Sequence, residues 1–139
     1  SALASGQTVN AVAPLKGAGF ESLFVSRHEG RTRATMKIQE GCDRYCSYCI
    51  IPSVRGPVRS MPLTAVAAEA ARLGRAGYRE IVVTGIHLAS YGRGTDDTLM
   101  DAVRAVHDAP GVCRVRLGSL EPVTVTEELA FQLLGSLSR

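Results

Sequence analysis

From Thr32 hydrophobic and polar residues fall into alternation. Ala34, Met36 and Ile38 fall on one side and Thr35, Lys37 and Gln39 on the other, which is the period of a strand ending near Glu40. A cysteine-bearing loop follows, and then the period lengthens. Pro62 and Thr64 introduce a predicted helix: Thr64 is placed to cap the free amides, Val66, Ala70 and Leu73 share one face, and Gly77 closes the end. The run EIVVT, Glu80 to Thr84, has the apolar character of a buried strand. The loop GIHLASYGRG leads to Asp96 and Asp97, the expected caps of a second helix with Leu99, Val103 and Val106 facing inward. Ala109, Pro110 and Gly111 end it, and a third strand runs from Val112 to Leu117. After SLEP, Thr124 and Glu127 have capping-box spacing ahead of a stripe formed by Leu129, Leu133, Leu134 and Leu137.

Strand and helix thus alternate three times, which predicts an α/β fold with a parallel sheet of three βα units joined by helical crossovers. Loops at the carboxyl ends of such strands open on one face, where chemistry gathers. Three segments are expected there: the cysteine loop, Gly85 to Tyr91, and Ser119 to Glu121. Residues 1–30 are rich in Ala, Gly and Ser and read as a lead-in or linker, with Phe20, Leu23, Phe24 and Val25 as a short packing segment.

The 139 residues suffice for one core of ordinary domain size, and a net charge of +3 does not by itself announce a nucleic-acid binder. No apolar run approaches the roughly 20 residues that cross a bilayer, and the start lacks the pattern of a secretory signal. The expectation is a cytoplasmic protein with no membrane contact, in a reducing compartment.

Three of the four cysteines, Cys42, Cys46 and Cys49, crowd into EGCDRYCSYCIIPSVRG, residues 40–56. A tight cluster suits a metal better than a disulfide framework. Structural zinc closes with four protein ligands, and the spacing allows a three-cysteine, one-histidine site with His87, giving a zinc-stabilised RNA-binding module without redox chemistry. Cys113 is expected toward the opposite face of the sheet, as a small buried hydrophobe. The other reading is a [4Fe-4S] cluster, in which three thiolates leave one iron open to a small molecule.

The spacing CxxxCxxC, with Tyr48 just before the last cysteine, resembles the signature of radical S-adenosylmethionine enzymes. KIQEGCDRYCSYCIIPSVRGPVRS, VVTGIHLASYG and RVRLGSLEP resemble, in that order, segments of the methylthiotransferases, most closely those acting on tRNA threonylcarbamoyladenosine. The resemblance implies a transferase that uses a [4Fe-4S] cluster and S-adenosyl-L-methionine to install a methylthio group on carbon 2 of N6-threonylcarbamoyladenosine beside the tRNA anticodon. It implies tRNA and an electron donor as partners.

By position, the resemblance makes Cys42, Cys46 and Cys49 the cluster ligands and sets Tyr48 against the cofactor's adenine. Thr84, Gly85 and Ile86 would contact the methionine amino group through their backbone, with His87 and Glu121 also on the cofactor. Basic residues from Arg27 to Met61, Arg55 and Arg59 among them, would attract RNA phosphates. The family's barrel has about six βα units, so residues 31–139 correspond to the amino-terminal half of a radical SAM domain, half of a partial (β/α)6 barrel. Family members carry further domains at both ends, and Met61 stands where they usually have an arginine. A fragment of this kind is expected to lack turnover and to pair two copies through its open sheet edge.

Overall fold

The protein is described by a computed structural model over residues 19–21, 32–118 and 120–135. Strand β1 (Ala34–Glu40) is followed by a five-residue helix α1 (Ile51–Arg55) and a two-residue strand β2 (Arg59–Ser60). Helix α2 (Leu63–Arg75), strand β3 (Glu80–Gly85), helix α3 (Leu99–His107), strand β4 (Arg114–Leu117) and helix α4 (Glu127–Gly135) complete the order. Single 3-10 turns lie at Leu88–Ser90 and Pro122–Thr124.

The sheet order is β2-β1-β3-β4. β1 and β3 pair in parallel with Ala34 opposite Ile81, and β3 and β4 pair in parallel with Ile81 opposite Val115. The three predicted parallel strands are therefore present, with one addition. β2 pairs antiparallel to β1 through Gln39–Ser60 and Glu40–Arg59, and two residues are too few to leave a periodic signal.

Because side chains alternate along strands, this register separates two faces. Ala34, Met36, Ile38, Ile81 and Val83 are buried on one of them, in a single core with Val66, Ala70 and Leu73 of α2 and Ala102, Val103 and Val106 of α3. Each such aliphatic side chain larger than alanine contributes about 1.5–3 kcal/mol by burial, and together they hold the helices on that side. The other face carries Thr35, Lys37, Glu80, Thr84, Arg114 and Arg116. On it Glu80 gathers three guanidinium groups, Arg116 at 2.6 Å, Arg114 at 3.5 Å and Arg33 at 3.9 Å. This face is polar, its three arginine side chains are more than half exposed, and β4 pairs on one side only among the described residues.

Several caps differ from expectation. α2 begins at Leu63 with Pro62 as cap, so Thr64 lies inside the first turn. Thr98 caps α3 in a reciprocal capping box with Asp101, which displaces Asp96 and Asp97 from that role. The side chain of Thr124 turns back onto the Glu121 carbonyl, and Thr126 accepts from the Leu129 amide at the start of α4. Gly77 does end α2, in the left-handed region at φ 92°, with Tyr78 N donating to Leu73 O. Cys113 immediately precedes β4, at the strand's amino end, and is exposed rather than the small buried hydrophobe expected, with Arg79 Nη2 donating to its sulfur at 3.1 Å. Leu23, Phe24, Val25, Leu137 and the basic residues Arg27 and Arg31 lie outside the described residues.

Candidate functional site

The cysteine loop is pinched shut at its neck. Gly41 sits at φ 71°, and a Cβ there would lie 1.8 Å from the Pro57 carbonyl oxygen, so only glycine lets the two ends of the loop cross. The Cys42 amide donates to Gly56 O at 3.1 Å beside it. Within the loop, Tyr45 is held in the left-handed region at φ 48°, and the Cys49 amide donates to Cys46 O at 2.9 Å. Pro52 lies in the first turn of α1, where its missing N–H costs nothing. All three thiols are free, Cys42 and Cys49 half-buried and Cys46 exposed. Tyr48 stands 91% exposed at the loop's tip.

Beneath the neck, two consecutive residues at the end of β1 are buried despite being polar. Glu40 accepts from Lys37 Nζ at 2.7 Å, Arg59 Nε at 3.0 Å and the Glu21 amide at 3.0 Å. Burial alone would raise its pKa, but the hydrogen bonds from Lys37, Glu21 and Arg59 outweigh it and hold the carboxyl below its usual range. Arg59 also donates to the carbonyls of Arg55 and Pro57. Its guanidinium is thus turned inward to brace the loop, whereas the Arg55 side chain lies on an exposed residue. The partner of Arg59 is nineteen residues away in sequence, so its basic character by itself pointed only to phosphate.

Gln39 was not singled out in the sequence. Its Nε2 donates to the Glu40 and Gly41 carbonyls, and its Oε1 accepts from the His87 amide at 2.7 Å. It thereby ties the neck of the cysteine loop to the loop after β3. Gly85 allows this: a Cβ there would meet Gln39 Oε1 at 2.7 Å and Gln39 Cβ at 2.8 Å. Thr84 and Gly85 are half-buried at the end of β3, and Ile86 is 40% exposed. Two further bonds anchor the same loop to the segment after α1. Tyr91 donates its hydroxyl to Met61 O at 2.7 Å, and the Gly92 amide donates to Ser60 Oγ at 2.9 Å. Burial, with smaller contributions from Asp97 and Asp101, pushes the Tyr91 phenol up to about 12.

His87 is buried, with Nδ1 against Ser90 Oγ. Its Nε2 faces Glu121 Oε2 at 3.4 Å, and the same oxygen lies 4.0 Å from Arg44 Nη2. Asp43 pairs with Arg93 of the loop after β3. The three segments expected at one mouth are therefore joined: the cysteine loop through Asp43 and Arg44, the β3 loop through His87 and Arg93, and the β4 loop through Glu121.

Among the described residues, no three of His, Cys, Asp and Glu are gathered to hold a single metal ion. A closed zinc site of Cys42, Cys46, Cys49 and His87 is not assembled in them; His87 is engaged by Ser90 and faces Glu121 instead. The donor set of three free thiols on one loop with a fixed neck suits a larger iron–sulfur cluster, which takes thiolates and spreads them over several metal ions.

Residues 36–133 match the radical SAM superfamily. The chain is 39% identical over 110 residues to the threonylcarbamoyladenosine tRNA methylthiotransferase MtaB of Chlamydia pneumoniae, covering 79% of this chain and 26% of that protein. It is 40% identical over 126 residues to the MtaB of Bacillus subtilis, covering 88% and 28%. With the tRNA-2-methylthio-N(6)-dimethylallyladenosine synthase of Acetivibrio thermocellus it shares 32% over 135 residues, covering 96% and 28%. The chain thus spans about a quarter of the length of these curated relatives.

Proposed function

The chain belongs to the radical SAM superfamily, and on that premise we propose that it is the cluster-bearing part of a methylthiotransferase acting on tRNA. Membership implies S-adenosylmethionine and an iron–sulfur cluster as cofactors. The observation that supports the reading best is the three free cysteines on a loop locked at its neck, at the carboxyl end of β1, in a chain so similar to proteins named methylthiotransferases. The substrate we propose is N6-threonylcarbamoyladenosine beside the anticodon, modified at carbon 2 and reached in the cytoplasm.

Cys42, Cys46 and Cys49 would hold a [4Fe-4S] cluster, whose chemistry when bound is the one-electron reductive cleavage of S-adenosylmethionine. The protein's own residues do the positioning. Gln39 fixes the distance between the cysteine loop and the backbone of Thr84, Gly85 and Ile86, which we place against the cofactor's methionine end. Tyr48, free at the loop tip, offers a ring on which an adenine can stack. Arg55 offers an exposed cation to RNA phosphate, while Arg59 keeps the loop in place through Glu40. We also propose that two copies of this chain pair through the free edge of β4.

Anaerobic reconstitution with iron and sulfide, followed by metal analysis, tests the reading. Broad visible absorption is expected, lost in Cys46→Ala and kept in Cys113→Ala, whose thiol lies at the far end of the sheet. Stoichiometric zinc without that absorption would overturn it.

A further inference from the structure

The contact between Glu121 and its two neighbours is loose in a specific way. His87 is only 8% exposed, and its ring is steadied by Ser90 at Nδ1 while its backbone amide is held by Gln39. Its Nε2 is buried and makes no hydrogen bond, although Glu121 Oε2 is 3.4 Å away. That oxygen also stands 4.0 Å from Arg44 Nη2. One carboxylate oxygen therefore lies between two nitrogens and reaches neither at the roughly 2.7–3.2 Å of a hydrogen bond. Buried polar atoms in native proteins are rarely left without a partner, and an orphaned one beside a mouth marks a place where water or a ligand completes the set.

We propose that His87 Nε2 and the Arg44 guanidinium form a binding site for a ligand carboxylate, and that Glu121 is its internal stand-in, displaced when the ligand arrives. The side chain of Glu121 is 51% exposed, so it can swing into water without losing its solvation. Arg44 is 45% exposed and offers a planar fork that matches a carboxylate better than the present single contact does. An imidazole and a guanidinium together select an anion over an apolar group, because hydrocarbon there would leave Nε2 unpaired.

The inference rests on the proposed function and narrows its ligands to those bearing an amino-acid carboxylate on an adenine nucleoside. Two molecules in that reading qualify, the methionyl end of S-adenosylmethionine and the threonyl end of N6-threonylcarbamoyladenosine. N6-dimethylallyladenosine does not.

Calorimetric titration of the reconstituted chain separates the sources. The probes are S-adenosylmethionine, N6-threonylcarbamoyladenosine, the carboxamide of each, and N6-dimethylallyladenosine. One carboxylate probe is expected to bind about tenfold or more tightly than its own carboxamide, a difference of one decade in Kd. Arg44→Gln should abolish that preference, and Glu121→Gln should strengthen binding of the same probe several-fold, since a competitor is removed. The probe that responds identifies the source. Equal binding of carboxylate and carboxamide, weaker binding by Glu121→Gln, or no binding of any probe would overturn the inference. Both substituted side chains are solvent-exposed, and unchanged circular dichroism checks the fold. Metal analysis of the same samples keeps the two failures apart. Iron and sulfide uptake without carboxylate preference removes only this site, whereas zinc uptake removes the cluster reading.

Discussion

Gln39 Oε1 accepts the backbone N–H of His87 at 2.7 Å across forty-eight residues of sequence, while its Nε2 holds the carbonyls of Glu40 and Gly41. One buried amide thereby sets the spacing between the cysteine loop and the β3 loop. Both parts of its side chain are satisfied, so the link is stiff in two directions.

This link depends on the absence of a side chain at position 85. In Gly85→Ala the new methyl would lie 2.7–2.8 Å from Gln39 atoms that are themselves buried and bonded. Overpacking of this kind costs about 1–3 kcal/mol. Urea unfolding should show the loss, and a reconstituted variant should hold less iron because the neck of the cysteine loop moves. Unchanged midpoint and iron content would count against the role given to Gln39.

Glu40 makes stability depend on acid. Burial would raise its folded pKa, but Lys37, Glu21 and Arg59 hold it below the usual glutamate range. The stabilisation is therefore complete above the unfolded pKa and is lost as pH falls through the folded one. Unfolding midpoints at pH 7, 5 and 3 should fall steeply between the last two. Glu40→Gln should be less stable at pH 7, with the gap to the parent protein closing toward pH 3. A gap that stays constant would assign the contribution elsewhere.

Tyr91 gives the opposite sign at the alkaline end. Burial pushes its phenol up to about 12, above the ordinary 10, so its contribution is full below pH 10 and is lost as pH rises from there toward 12. Ultraviolet titration should show one phenol ionising late, and that step should vanish in Tyr91→Phe. The variant leaves the Met61 carbonyl without its 2.7 Å donor, at a cost of about 1–3 kcal/mol in chemical unfolding.

The edge of β4 supplies a test of association that the exposed apolar residues of α4 sharpen. Phe131 is 73% exposed and Leu134 is 77% exposed on that helix. Light scattering is expected to show a concentration-dependent dimer, kept in Phe131→Glu/Leu134→Lys because the proposed contact is the strand edge. Loss of the dimer in that variant, or a monomer mass throughout the accessible concentration range, would refute pairing through that edge.

Much of the site was legible in the sequence because its signals are local. Alternation over seven residues marked β1, and the helical period marked the inner faces of α2 and α3. The cysteine spacing marked the donor loop, since ligands on one short loop are separated by fixed, small numbers of residues. Turn chemistry was less legible. Thr64, Asp96, Asp97 and Thr124 all had the composition of caps, yet Pro62, Thr98 and Thr126 took the positions, because several adjacent cap formers compete and packing chooses among them.

By itself, then, the sequence determined an α/β order of parallel strands, the placing of three loops at one end, and a thiolate-rich donor set in the first of them. Each of these follows from residue type and periodicity within a short window. Only the tertiary structure decided that Arg59 turns inward to Glu40, that Gly85 makes room for Gln39, and that His87, Arg44 and Glu121 meet. Those relationships join residues nineteen to seventy-seven positions apart. Their energies come from burial and from the pairing of polar groups across strands, which no local pattern records.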